Sequence, residues 1–318
     1  MTGADPAVYA QCGLRLRSEI DLPLPIALGD GFDVDVHWGP DLADSSAPPP
    51  GEVIAAYGSG EDSWYTATAT GSGFLLRFRD CGEFAISADL SEIEVRPDPA
   101  GRPELLPILL AGTATAFVLT LRGQTVLHAS AVALDGMALA FVGQSGRGKS
   151  TVAALLCLDG AALVSDDVLV VDPSPPVTCA GGAAELRLRD GAAVLAESRP
   201  DGTTRVTADD RLAFALRAAP VEPLPLAGIV VPAPSHTATD VEIRRLAPST
   251  AVFWLLAFPR IHGWCRPDVL SRDFAAISQI VNTVPVYDVT IPWGPPFDPG
   301  VARSLSALRV AAAGQALT

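Results

Sequence analysis

The stretch MALAFVGQSGRGKSTVAALLCLDG, residues 137 to 160, decides how the rest of the chain is read. MALAFVG (137–143) is a continuous apolar run of the length of a strand buried on both faces, and KSTVAALLCLDG reads as a helix that stops at Gly160. Between them GQSGRGKS fits G-x-x-x-x-G-K-[ST], with Gly143, Gly148, Lys149 and Ser150 at the required positions. The spacing has a mechanical reason. Glycines let backbone N–H donors close around a β-phosphate, and the helix N-terminus adds the positive end of its dipole. The lysine then reaches the β and γ oxygens, and the serine hydroxyl serves Mg²⁺. Gly143, Gln144, Ser145, Gly146, Arg147, Gly148, Lys149, Ser150 and Thr151 are therefore the candidate segment for binding a nucleotide such as ATP with Mg²⁺.

Lys149 is the only lysine in the chain, against 21 arginines. Arginine presents a broad planar fork, whereas lysine is a compact charge on a thin stem that can thread beneath a phosphate-binding loop. A composition that otherwise uses arginine keeps its one lysine where the fork would not fit.

Downstream, AALVSDDVLVVD returns to strand and places Asp166 and Asp167 at its end, 17 and 18 residues after Lys149. Two carboxylates at a strand end beside such a loop can divide the work of holding Mg²⁺ and activating a nucleophile, and neighbouring like charges raise one pKa toward that of a base. His128, in LHASAV, lies 15 residues before Gly143, and by itself is more often a satisfied core histidine than a catalytic one.

Outward from this unit, residues 1–103 read as a β-rich N-terminal domain. DVDVHW (33–38), WYTATAT (64–70), FLLRFRD (74–80) and EFAISA (83–88) are strands separated by turns, and DPAGRP (98–103) is a break. Residues 104–318 form the second domain, an α/β unit around a mixed sheet covered on both faces. In it GIVVPAP, VEIRRL and VPVYDVTI are strands, while 248–258, DFAAISQIVNTV and PGVARSLSALRVAAAG are helices. LLPILLAGTATAFVLTL (105–121) barely reaches membrane-spanning length and is interrupted by Pro107, Gly112 and threonines, so a buried helix is expected.

The chain of 318 residues carries a formal charge of −14 with no basic run, which argues against nucleic acid or an anionic membrane as partner. Five scattered cysteines, odd in number and without metal-ligand spacing, fit a reducing compartment. MTGADPAVYAQCGLRLRSE has no basic segment followed by an apolar one, so no signal peptide is expected and the protein reads as cytoplasmic. FPRIHGWCRPD (258–268) reads as a loop anchored to a core by Trp264.

Taken together, the histidine, the strand and turn, G-x-S-G-x-G-K-S, the helix and the strand ending in Asp-Asp resemble the HPr kinase/phosphorylase superfamily across residues 128 to 167. The resemblance implies a P-loop kinase fold related to the nucleotide site of phosphoenolpyruvate carboxykinase, and phosphate transfer from a nucleotide to a serine hydroxyl. It implies that Ser150 and Asp167 help hold Mg²⁺ and that Asp166 is the base, with the reverse allocation of the two aspartates left open, and that His128 lies near the γ-phosphate. Glu185 and Arg187, in ELRLR, are the nearest counterparts of a Glu-x-Arg-Gly-Leu-Gly segment whose glycines are missing here, and become candidates for Mg²⁺ and phosphate contacts. The segment that supports dephosphorylation in that family is not recognisable.

GLRLRSEIDLPLP and LRGQTVLHASAV are more similar to the divergent kinases of peptide natural-product pathways, including those acting on lasso-peptide precursors. The expectation is thus an ATP- and Mg²⁺-dependent serine kinase acting on a peptide or small protein. The alternatives are a kinase for free serine and a nucleotide-binding scaffold without transfer, and homo-oligomerisation stays open.

Overall fold

The computed structural model describes residues 5–29, 31–58, 63–182, 185–197, 204–220 and 222–308. The chain is a mixed α/β protein that divides into two compact units. The first is Met1–Gly123 with Arg260–Arg272, the second Gln124–Pro259 with Asp273–Thr318.

In the first unit, eight strands form one sheet. They are β1 (Ala7–Gln11), β2 (Leu14–Ser18), β3 (Val34–Trp38), β4 (Glu52–Tyr57), β5 (Tyr65–Thr70), β6 (Gly73–Phe78), β7 (Gly82–Ser87) and β8 (Glu92–Pro97), in the order β1-β2-β3-β8-β7-β6-β5-β4. Alternation drives it: Leu14 and Leu16 of β2 and Leu76 and Phe78 of β6 are buried while their neighbours are not. Pro103–Leu121 is long and apolar enough to cross a membrane, yet 78% of its apolar window is buried inside the protein. Its segments are α1 (Leu106–Leu109), a wide π turn at Leu110–Ala114 and α2 (Thr115–Leu121). The wide turn leaves the Ala111 carbonyl to accept from Gln11 Nε2 at 2.6 Å.

The division at Gly123, rather than at the break near residue 103, follows from the packing of that helix. Phe117 lies edge-on to Phe74 at 6.2 Å and stacked on Trp264 at 5.3 Å, both first-unit residues. The segment 260–272 belongs here because Cys265 N–H donates to Ile54 O at 2.8 Å and Ala56 N–H to Gly263 O at 3.2 Å. Trp264, 9% exposed, is the anchor its sequence suggested.

The second unit holds a nine-stranded sheet built from β9 (Thr125–Leu127), β10 (Ala129–Leu134), β11 (Met137–Val142), β12 (Ala162–Ser165), β13 (Leu169–Asp172), β14 (Thr178–Ala180), β18 (Leu224–Ser235), β19 (Glu242–Arg245) and β20 (Val286–Pro292). Between β14 and β18, β15 (Glu185–Leu188), β16 (Thr204–Val206) and β17 (Leu212–Ala215) make a separate antiparallel sheet in the order β15-β17-β16. β18 runs parallel to both β11 and β20, and β10 runs antiparallel to both β11 and β12.

Apolar side chains cover both faces of the main sheet. Leu139 and Phe141 share one core with α3 (Lys149–Leu158), α7 (Gly300–Ser306) and Leu186 and Phe214 of the small sheet. Ala138, Ala140 and Val142, alternating with them, join Leu255 of α5 (Pro248–Ala257) and Ile277 and Ile280 of α6 (Pro267–Thr283) in the other. A short helix α4 (Val194–Glu197) adds Leu195 and Ala196 to the first of these cores. α7 covers only the first part of the helix expected from residue 299, and residues from 309 lie outside the described ones. None of the five cysteines is in a disulfide, and Cys265 is exposed while the others are buried.

Gly263 has φ +69°, and a Cβ there would come within 1.8 Å of Ala56 O. Gly263→Ala should therefore destabilise the protein by about 2 kcal/mol or more, read as a lowered urea midpoint followed by tryptophan fluorescence. An unchanged midpoint would mean that the 260–272 segment is not clamped to β4.

Candidate functional site

β11 ends at Val142 and α3 begins at Lys149, so Gly143–Gly148 form the connecting loop. Gly146 and Gly148 take φ +84° and +81°, conformations that L side chains avoid. Gly148 is constrained twice, because a Cβ there would lie 2.2 Å from Cη2 of Trp293. The Lys149 side chain folds back under this loop: Nζ donates to Gly143 O at 2.8 Å and to Gln144 O at 3.3 Å, and the residue is 7% exposed. A buried ammonium needs such oxygens. Gln144, Ser145 and Gly146 are exposed at the tip, Arg147 is half-buried and Thr151 is buried on α3.

Strand pairing explains how distant residues arrive here. β10 lies between β11 and β12 and runs against both, so its first residues lie beside the last residues of its neighbours: Ala129 pairs with Val142 and Ala131 with Ser165. His128, just before β10, thus meets the Asp166-Asp167 end of β12, and its Nδ1 lies 3.0 Å from Asp167 Oδ1. Ser130, two residues on, meets Asp166.

Asp166 collects donors from three elements. Oδ1 accepts from Ser150 Oγ at 2.7 Å and Ser130 Oγ at 2.8 Å, and Oδ2 accepts from the Arg187 backbone N–H at 2.9 Å. Ser150, expected to work with Asp167, is hydrogen-bonded to Asp166. Asp167 instead pairs with His128 and, at 3.5 Å, with Arg187. Its backbone N–H donates to Ala129 O at 3.0 Å, and its φ of +89° is left-handed, a conformation costly for a non-glycine residue.

Arg187, 16% exposed at its side chain, also reaches Asp209 Oδ2 at 3.3 Å, which Arg211 shares at 3.2 Å. Burial works against the Arg187 charge, but Asp167, Asp166, Asp209 and Glu185 outweigh it and raise its pKa further. Glu185 pairs with Arg205 at 2.6 Å. Burial pushes the Glu185 carboxyl above the ordinary glutamate range, with Arg205 and Arg187 pulling it back only in part.

The structure therefore brings His128, Lys149, Ser150, Asp166, Asp167 and Arg187 to one end of the sheet. Glu185 stands on the same strand as Arg187 but in its own ion pair. Among the described residues no group of three or more His, Cys, Asp or Glu side chains converges as a metal cage. Ser150 Oγ and Asp166 Oδ1 are nonetheless hard oxygen donors suited to Mg²⁺, which takes few protein ligands alongside phosphate oxygens. Sequence reading missed Ser130, Asp209 and Arg211. Ser130 had a signal, since a strand with period 2 puts it on the face of His128. Asp209 had none, being one of several acidic residues on a polar turn.

No protein-family model matches the chain, and no curated protein matches it. Among solved structures, the HPr(Ser) kinase/phosphatase from Coxiella burnetii is similar over 61% of this chain and 99% of that one, with 11% identity and a TM-score of 0.30.

Because folding holds the Glu185 proton more tightly than the unfolded chain does, the residue's contribution to stability declines as pH rises from the ordinary glutamate range through its raised folded value. The stability of wild type relative to Glu185→Gln should therefore fall as pH goes from acid to neutral, measured by urea unfolding at a series of pH values. A difference that rises with pH would reverse the assignment.

Proposed function

We propose that this chain is a P-loop kinase that binds ATP with Mg²⁺ at Gly143–Thr151 and transfers the γ-phosphate to a serine hydroxyl of a peptide or small protein. A ribosomal natural-product precursor of the lasso-peptide type is the acceptor suggested by the sequence resemblance. The observation that carries the reading is the cluster at one sheet end: the Lys149 loop, the Ser150–Asp166 hydrogen bond at 2.7 Å and the His128–Asp167 pair at 3.0 Å.

This geometry supports exchanging the roles first read for the two aspartates. Asp166 has both oxygens committed to donors and shares one with Ser150, which suits the metal side. A Mg²⁺ held by Ser150 and Asp166 would neutralise phosphate charge. Asp167, backed by His128, suits the acceptor side. In the step itself the acceptor oxygen bonds to the γ-phosphorus, the bond from that phosphorus to the β,γ-bridging oxygen breaks, and its electron pair leaves with ADP. The hydroxyl proton passes to the Asp167–His128 pair. Arg187, tied to Asp167 and Asp209, holds Asp167 in place and adds positive charge near the transferred group. The net charge of −14 favours a neutral or basic acceptor.

The test is nucleotide binding by calorimetry together with mass-spectrometric transfer to serine-containing peptides and to free serine. Lys149→Ala should weaken ATP binding by about tenfold to a hundredfold. Asp167→Asn should keep ATP binding and lose transfer, whereas Asp166→Asn should weaken binding of the Mg²⁺ complex. Transfer to free serine but no peptide would select the small-molecule kinase. Tight ATP binding by wild type with no transfer to either acceptor would favour the scaffold.

A further inference from the structure

The small sheet does more than deliver Arg187. Strand β15 alternates, with Leu186 and Leu188 buried and Glu185 and Arg187 on the opposite face. The chain stays extended at the next residue, Arg189, with φ −84° and ψ 161°, so the alternation continues and Arg189 follows Arg187 about 7 Å further along the same face. That step carries the guanidinium to the tip of the 143–148 loop, where Arg189 Nη2 donates to Ser145 Oγ at 3.1 Å.

The ion pairs distinguish this arginine from its neighbours. Arg187 lies against Asp167 and Asp209, Arg205 against Glu185, and Arg211 against Asp209. Arg189 has a neutral hydroxyl as its partner and, among the described residues, no carboxylate. The other arginines of the small sheet carry charges already matched by the protein's own carboxylates, while Arg147, within the loop itself, has no ion pair among the described residues either. The Arg189 charge is available for an incoming anion. Lys149 and the backbone amides approach the loop's contents from beneath and within, while Arg189 comes from a different strand and closes on the exposed tip. A guanidinium binds phosphate oxygens through two parallel N–H donors, better than it binds one hydroxyl.

We infer that Arg189 is a ligand of the nucleotide's terminal phosphate, exchanging Ser145 Oγ for γ-phosphate oxygens when a triphosphate occupies the loop. The inference rests on the nucleotide reading proposed above and adds to it a residue and a preference: Arg189 makes the site favour a nucleoside triphosphate over the diphosphate. The contact also persists as charge develops on the transferred group, so the residue is catalytic as well as binding.

The test compares affinities for a non-hydrolysable ATP analogue and for ADP, both with Mg²⁺, in wild type, Arg189→Ala and Arg189→Lys, with thermal melting to establish that each variant is folded. Arg189→Ala should bind the triphosphate analogue about tenfold to a hundredfold more weakly and ADP within about twofold of wild type. Arg189→Lys, which keeps the charge and loses the fork, should recover only part of the loss. Equal loss of both ligands would make Arg189 a brace for the loop and overturn the inference, and so would unchanged affinity for both. Wild type that binds neither nucleotide would instead remove the nucleotide reading itself, a result separable from failure at Arg189 because it appears before any substitution is made.

Discussion

The carboxylate of Asp166 is the junction on which the second unit's site depends. Three elements with no sequence continuity end on it: β10 through Ser130, α3 through Ser150, and β15 through the backbone N–H of Arg187. Each bond is short and partly withdrawn from solvent, so the group is worth most as a set. Removing the acceptor would strand two hydroxyls and an amide rather than simply lose three contacts. Its position follows from ordinary strand physics. β12 is buried throughout because it is covered on both faces, and Asp166, the residue after it, emerges at the sheet end.

From that junction the site spreads by pairing rather than by proximity in sequence. The antiparallel run of β10 between β11 and β12 turns a histidine well upstream of the loop into a neighbour of the aspartate pair. The small sheet then sets a row of alternating cations against it. Both carboxylates ion-paired with Arg187 come from elsewhere in the chain's order, Asp167 from the end of β12 and Asp209 from the turn before β17. In a chain of formal charge −14 such local matching is what permits a buried arginine at all.

How much of this was legible depended on the range of the interaction. The loop between β11 and α3 was readable because strand, glycines, lysine and helix are consecutive, and each obeys a local rule. His128 was a candidate for the site only through a resemblance, and its pairing with Asp167 was not readable, since nothing local to LHASAV says which strand it will flank. Which partners Asp166 and Asp167 would each take was not readable. Adjacent residues differ only in backbone direction, and the left-handed φ of Asp167 sends its side chain to His128 while Asp166 keeps the serines. The break near residue 103 was a real turn signal, but a helix is assigned to a unit by what its apolar side chains touch. Phe117 meets Trp264 across a sequence separation that no window spans.

Lys149 is buried beneath the loop with its ammonium on two loop carbonyls, a contact that suits a compact charge better than a planar fork with five donors. Arginine is used instead where there is room and where planar, two-pronged contact with carboxylate matters, as at Arg187 over Asp167 and Asp209. Trp293 packs against the same loop, its ring filling the space a side chain at Gly148 would need. The retention of the chain's one lysine at this position thus fits a compact charge held by the carbonyls of Gly143 and Gln144, beneath a loop whose Gly148 lies against Trp293.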